Sequence, residues 1–234
     1  MRAIFKHDLR AYFTSPLGYV FLMAFLLVMN IYFFATCVYT ANNNLTGVFS
    51  FMIYMLIFMI PILTMRTFSE EYKLKTDQLL LTSPVRPSGI VLGKFFSCMV
   101  VFSIGLVFTL IYVMVIAATG TVNAATTVGN YIAIFAVAAC YISIGLFISS
   151  LTENQLVSCI ATLGVFLALF LIDYTYNLLN ATWVKSIIYW ISIFRRYNSF
   201  STGVFLIADL FYYLSIAVVF IFLTVRVLEK KRWS

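Results

Sequence analysis

The chain has 234 residues, of which 63% are hydrophobic and 10% are charged, and its formal net charge is +7. Soluble domains carry about 25% charged residues, so this composition excludes a soluble domain and predicts an all-α protein that crosses a membrane several times. The apolar runs are continuous rather than alternating, which excludes a transmembrane β-barrel. We assign the positive charge to membrane topology and anionic lipid headgroups, not to nucleic acid.

Residues 1–15 are predicted to form an interfacial helix rather than a span or a cleaved signal peptide. Phe5, Leu9 and Tyr12 share one face at helical spacing, while Lys6 and Arg10 lie on another face. A helix with these two faces lies in the headgroup plane with its apolar side down. The Ser-Pro pair that follows ends the helix and turns the chain into the first span.

Six membrane spans are predicted within one transmembrane domain that covers the whole chain. Twelve of the 15 Lys and Arg residues lie in three segments: 1–15, 66–94 around the connection between the second and third spans, and 226–232 at the end of the last span. By the positive-inside rule these segments are cytoplasmic, as are both termini. The predicted spans are approximately 17–40, 47–65, 88–118, 128–150, 156–176 and 207–228.

Residues 66–87, between the second and third spans, form a polar segment that is long enough for a cytoplasmic helix. Thr76 is a candidate N-cap, and Leu79 and Leu80 form a small apolar patch. The segment is either a solvated loop helix or a helix that docks in a groove of a partner protein. The candidate docking residues are Glu70, Glu71, Lys73, Thr76, Leu79 and Leu80.

Residues 177–206, between the fifth and sixth spans, are too apolar for a solvated loop and too interrupted for a span. We expect a pair of short re-entrant or interfacial helices on the outer face. The ionisable residues here have two interpretations, a set of salt bridges that pins the segment or an outer gate that contacts substrate. These residues are Asp173, Arg195, Arg196 and Asp209.

The sequence contains no pattern typical of catalysis or of cofactor binding. Gly89 and Gly93 precede Lys94, but a phosphate loop needs four residues between its glycines and Ser or Thr after the lysine, and here Phe95 follows. His7 is the one histidine, and the four cysteines are too scattered for a metal site. We therefore predict a non-enzyme without cofactor or metal, whose ATP, if used, binds to a partner.

Several runs together resemble the permeases of type-2 ABC transporters, and among them the short permease of the bacterial gliding-motility type. They include FKHDLRAYFTSP at 5–16, LLLTSPV at 79–85 and IVLGKF at 90–95. The end of the chain also matches, with FRRY at 194–197 and DLFYYL at 209–214. The chain departs from the family at 75–78, where Lys-Thr-Asp-Gln replaces the frequent Gly-Thr with a later Glu.

The resemblance implies a connector helix, six spans, a cytoplasmic coupling helix and re-entrant outer helices. It also implies a permease subunit of an ATP-driven exporter in the bacterial cytoplasmic membrane, bound to a separate ABC ATPase. A second permease chain is expected, and the gliding-motility subtype favours a different chain over an identical one. The alternatives are an ATPase-coupled complex that works mechanically on the envelope, or an unrelated channel. Peptide, lipid, polysaccharide and drug substrates all remain open.

Overall fold

The computed structural model describes residues 2–40, 44–75, 86–120, 123–176, 183, 185, 192–203 and 206–233. Every regular element in these ranges is helical, which confirms the predicted all-α fold class. The α-helices are α1 (Arg2–Thr14), α2 (Pro16–Phe33), α3 (Thr46–Thr64), α4 (Ser69–Leu74), α5 (Pro87–Phe108), α6 (Leu110–Thr119), α7 (Ala124–Leu151), α8 (Gln155–Thr175), α9 (Ile193–Ser201) and α10 (Ile207–Trp233).

Six helical stretches in the described ranges are long and apolar enough to cross a membrane, which confirms the six predicted spans. Each exceeds the ~20 residues that a helix needs to cross a hydrocarbon core. The largest difference from prediction is the second stretch, which continues through a turn and α4. The stretches are Pro16–Val38, Thr46–Lys73, Pro87–Ala118, Ala124–Leu151, Gln155–Thr175 and Ile207–Arg232.

Two spans contain irregularities that the apolar pattern did not predict. The first span ends in a π-helical turn, Phe34–Val38. The third is interrupted at Thr109, whose hydroxyl donates to the Leu106 carbonyl at 2.6 Å and lies 3.1 Å from the Tyr131 hydroxyl. These side-chain contacts stabilise a local departure from α-helical bonding within a span.

The fourth span, α7, lies at the centre of the bundle. In the most apolar stretch of α7, 78% of the residues are buried within the protein. The buried share is only 17% in the most apolar stretches of α8 and α10. Helix α3 packs closely against α7 at Gly145, where an added Cβ would lie 2.9 Å from Thr64 Cβ and overlap the threonine hydroxyl. Small residues at such positions are what allow helices to approach in a membrane, where packing drives association.

The predicted N-terminal helix forms as α1, and much of its apolar face contacts protein. Ile4 packs on α5 at Gly93, where a Cβ would lie 3.2 Å from the isoleucine side chain. Tyr12 is buried, and its hydroxyl donates to the Leu63 carbonyl at the end of α3. Lys6 is exposed, as predicted for the opposite face. Part of the face that we expected to contact lipid therefore anchors α1 to two spans.

Candidate functional site

A buried lysine near the start of α5 joins three helices. Lys94 is 2% exposed, and its Nζ donates to Glu71 Oε1 at 2.6 Å and to the Thr67 carbonyl at 2.8 Å. The same Nζ lies 3.5 Å from Asp8 Oδ2 on α1. Buried charges persist in proteins when they are paired and hydrogen-bonded. The lysine therefore connects α1 and α4 to the third span, and we call these residues the Lys94 cluster.

Aromatic side chains surround the Lys94 cluster. The Phe68 ring centroid lies 5.1 Å from Lys94 Nζ, within the range of a cation–π interaction. Nearby, Tyr12 is tied to both α3 and α5, since its hydroxyl also lies 3.3 Å from Cys98 Sγ. Burial raises the pKa of Tyr12 well above its usual value, so its hydroxyl keeps its proton and remains a donor near neutral pH.

A serine from the fourth span caps α4. The residue that precedes α4, Phe68, has no capping side chain. Instead, Ser149 Oγ accepts from the backbone N–H groups of Phe68 at 3.2 Å and Ser69 at 3.3 Å. The Ser69 hydroxyl in turn lies 3.3 Å from Thr152 Oγ1. A helix N-terminus needs acceptors for its first N–H groups, and here they come from 80 residues away.

The end of the last helix also contacts α4. Lys231 Nζ lies 3.6 Å from the centroid of the Tyr72 ring and donates to the Ser150 carbonyl at 3.2 Å. Helices α5, α7 and α10 therefore all contact α4 or the turn before it, and α1 is linked to α4 through Lys94. The short helix is held on several sides at the predicted cytoplasmic end of the bundle.

The structure places three of the six candidate docking residues. Glu71 points inward to Lys94, Glu70 pairs with Arg66, and Lys73 is exposed. Helix α4 ends at Leu74, and the next residue, Lys75, caps it in a left-handed conformation with a φ of 55°. Thr76, Leu79 and Leu80 lie outside the described residues, so their role in docking stays a prediction.

At the other end of the bundle, the four ionisable residues named from the sequence form two ion pairs. Arg195 Nε lies 3.1 Å from Asp173 Oδ1, which also accepts from the Ser192 hydroxyl at 2.6 Å. Arg196 Nη1 donates to Asp209 Oδ1 at 2.9 Å. These pairs tie α9 to the end of α8 and to the start of α10.

Tyrosines complete this set of ion pairs, which lies at the predicted outer end of the bundle. We call it the outer clamp and define it as Asp173, Arg195, Arg196 and Asp209. The Arg195 guanidinium carbon lies 3.4 Å from the Tyr176 ring centroid, and that of Arg196 lies 4.1 Å from the Tyr212 centroid.

Another tyrosine fixes α9 to the fourth span. Tyr197 donates to Asn130 Oδ1 at 2.6 Å, and burial raises the pKa of this tyrosine, which keeps its proton. The clamp and this hydrogen bond together hold α9 against α7, α8 and α10, while the pinning and gate interpretations both stay predictions.

Sequence reasoning missed two residues that organise the predicted cytoplasmic end, Lys94 and Ser149. Lys94 carried a usable signal, because a lysine after several apolar residues in a span requires a partner. Ser149 carried none, since a serine in an apolar helix usually bonds its own backbone. In the described ranges no group of three or more His, Cys, Asp or Glu residues could hold a metal ion.

In a comparison with protein-family models, the model described as ABC-2 family transporter protein matches residues 26–229. The match includes the second to fifth spans in full, α4 and the outer clamp, and it covers part of the first span and most of the last. No curated protein sequence matches the chain.

Proposed function

This chain belongs to the ABC-2 transporter family, and we propose that it is the permease subunit of an ATP-driven exporter of the gliding-motility type. As a membrane domain of this family it is a non-catalytic transport subunit. We assign ATP hydrolysis to a separate ABC ATPase and the translocation path to this chain with a second permease. The proposed location is the bacterial cytoplasmic membrane, with both termini in the cytoplasm.

The Lys94 cluster carries the proposal. Segment 66–87 is the longest connection on the predicted cytoplasmic side. Glu71 of α4 and Thr67 of the turn before it are both bonded to Lys94 of the third span. An ATPase that moves this segment would therefore move α5 and α1 with it. Such motion needs an ATPase whose contacts with the permease differ in free energy between its ATP-bound and free states.

The proposed docking surface combines Leu79 and Leu80 as apolar anchors with Glu70 and Lys73 at the polar rim. Helix-in-groove binding uses apolar anchors of this kind. Glu71 has a different part in the proposal: its carboxylate is held by Lys94, so it orients the segment rather than meeting the ATPase directly. Thr76 remains the proposed N-cap of the docking helix.

At the outer end, the clamp is proposed to hold the re-entrant segment in place, and it would have to open if the same residues form a gate.

The second permease has two candidate identities. Resemblance to the gliding-motility subtype favours a different chain, whereas the exposed face of the first span favours a second copy.

The docking proposal is tested by changing Leu79 and Leu80 together to Asp and purifying the chain from membranes that contain its ATPase. We expect the ATPase to be lost while the permease remains folded. Leu206→Asp is the matched control, because Leu206 is exposed near the opposite, outer end of the bundle. An ATPase that still copurifies with the double variant would disprove this docking site. Identification of every chain that copurifies with the unaltered protein tests the wider proposal.

A further inference from the structure

The first span exposes a carboxamide inside the hydrocarbon layer. Asn30 is exposed on α2, within the span Pro16–Val38. At 1.5 Å per residue, it lies about 21 Å along the helix from the first residue of the span and about 12 Å from the last. The hydrocarbon core is about 30 Å thick, so the short side chain reaches neither headgroup layer.

Asn30 makes no side-chain hydrogen bond to any residue in the described part of the chain. Two other polar side chains in the spans show how such a group can be satisfied within the chain. The exposed Ser215 donates to its own helix at the Tyr212 carbonyl, 2.7 Å away, and Asn130 is buried and accepts from Tyr197. A carboxamide cannot be satisfied in this way by lipid tails, which offer neither donor nor acceptor. The position therefore calls for a hydrogen-bonding partner outside this chain.

The side chains around Asn30 form a continuous exposed seam. The seam consists of Val20, Met23, Leu27, Asn30 and Phe34, which follow one another at alternating three- and four-residue steps. Val20, Met23, Leu27 and Phe34 are each at least half exposed. This spacing is that of left-handed helix pairs, whose contacts repeat every seven residues, and it occurs in both soluble and membrane bundles.

We infer that this seam packs against the same seam of a second copy of the chain, with Asn30 bonded to its counterpart. Two copies share one orientation in the membrane, because the same basic residues set it. A two-fold axis along the membrane normal then places each residue of the seam at the same depth as its counterpart in the other copy. A carboxamide both donates and accepts, so two facing asparagines satisfy each other. The inference names the second permease and so rests on the proposed function.

Cysteine cross-linking tests the inference in membranes that contain the full chain with or without its ATPase. Cys37, Cys98, Cys140 and Cys159 are first changed to Ser, and one cysteine is then introduced by Asn30→Cys, Leu27→Cys or Phe34→Cys. Oxidation with copper phenanthroline is expected to give a disulfide-linked species of twice the chain mass at all three positions. Ser215→Cys, on an exposed face of α10, is the control and is expected to remain single.

A second measurement uses the unmodified cysteines and follows dimer dissociation on dilution in detergent. Asn30→Leu is expected to raise the apparent dissociation constant about tenfold, while Asn30→Gln, which keeps the amide, changes it much less. If Asn30→Cys does not fold, the Leu27 and Phe34 positions still report on the seam.

Three outcomes overturn the inference. One is a cross-link from the seam to a different chain. Another is labelling of position 30 by a water-soluble maleimide, which would place the seam on a water-filled path. The third is absence of any cross-link together with labelling by a lipid-soluble maleimide. Because cross-linking is measured without the ATPase as well as with it, the result is independent of whether the Leu79 and Leu80 docking surface is correct.

Discussion

Lys94 and Glu71 are bonded at 2.6 Å although 23 positions separate them in the chain. Glu71 lies on α4 and Lys94 lies in the second turn of α5. The bond therefore joins the start of the connection between the second and third spans to the first turns of the third span. Asp8 adds a second carboxylate from α1. A buried ammonium group is therefore one of the contacts that hold the start of the proposed docking segment against the bundle.

Replacing that ammonium should destabilise the protein strongly. Lys94→Met leaves the Glu71 and Asp8 carboxylates without their counter-charge, and removal of one partner from a buried pair costs about 3–5 kcal/mol. The measurement is the free energy of unfolding in detergent. Lys73→Met is the control, since Lys73 is exposed and its loss should cost less than about 1 kcal/mol. Adding Glu71→Leu to Lys94→Met should recover part of the lost free energy of unfolding. A further decrease of that free energy in the double variant would contradict the pairing of Lys94 with Glu71.

Ser149→Ala should weaken the start of α4. The substitution removes the acceptor of the Phe68 and Ser69 N–H groups, which are buried, and loss of a helix cap costs about 0.5–2 kcal/mol. Ser150→Ala is a closely matched control, because the Ser150 hydroxyl donates only to the carbonyl of Phe147 in its own helix. We expect the backbone amide hydrogens of α4 to exchange faster in the Ser149 variant and to exchange at an unchanged rate in the Ser150 variant. Equal effects of the two substitutions would show that Ser149 is no cap.

The Arg196–Asp209 pair should contribute far more than a surface pair of similar length. The two side chains are 8% and 4% exposed, so Arg196→Ala leaves a buried carboxylate and should cost about 3–5 kcal/mol. Arg226→Ala breaks a pair of nearly equal distance, 3.0 Å, with both side chains exposed, and should cost less than about 1 kcal/mol. Unfolding of the two variants in detergent, with the Arg196→Ala and Asp209→Ala double variant to complete the cycle, measures the difference.

Gly145→Ala tests the close approach of α3 and α7. The added Cβ would overlap Thr64 on α3, and overpacking of this kind costs about 1–3 kcal/mol. Gly164→Ala adds the same methyl group on α8, where nothing lies within 4 Å of the new Cβ. We expect a lower unfolding midpoint for the first variant and an unchanged or higher midpoint for the second. A reversed order would mean that α3 and α7 are not packed at Gly145.

Much of the fold could be read from the sequence because the membrane imposes local rules. A span must satisfy its backbone within its own helix and must present apolar side chains over the hydrocarbon thickness. Both requirements act on consecutive residues. The six apolar runs between Pro16 and Arg232 were therefore recognisable one by one. The charges at 195 and 196 also pointed to carboxylates nearby, and the structure supplies those partners at Asp173 and Asp209.

Tertiary structure alone decides which side chains pair at the predicted cytoplasmic end. Lys94 could have bonded any carboxylate near the membrane surface, and only the packing of α1 and α4 around α5 brings Asp8 and Glu71 within reach. Ser149 caps α4 because the end of α7 lies beside its first turn. The sequence by itself determined how many helices cross the membrane, since that depends on apolar length along the chain. Which side chains meet between those helices depends on their relative positions, and no local pattern encodes them.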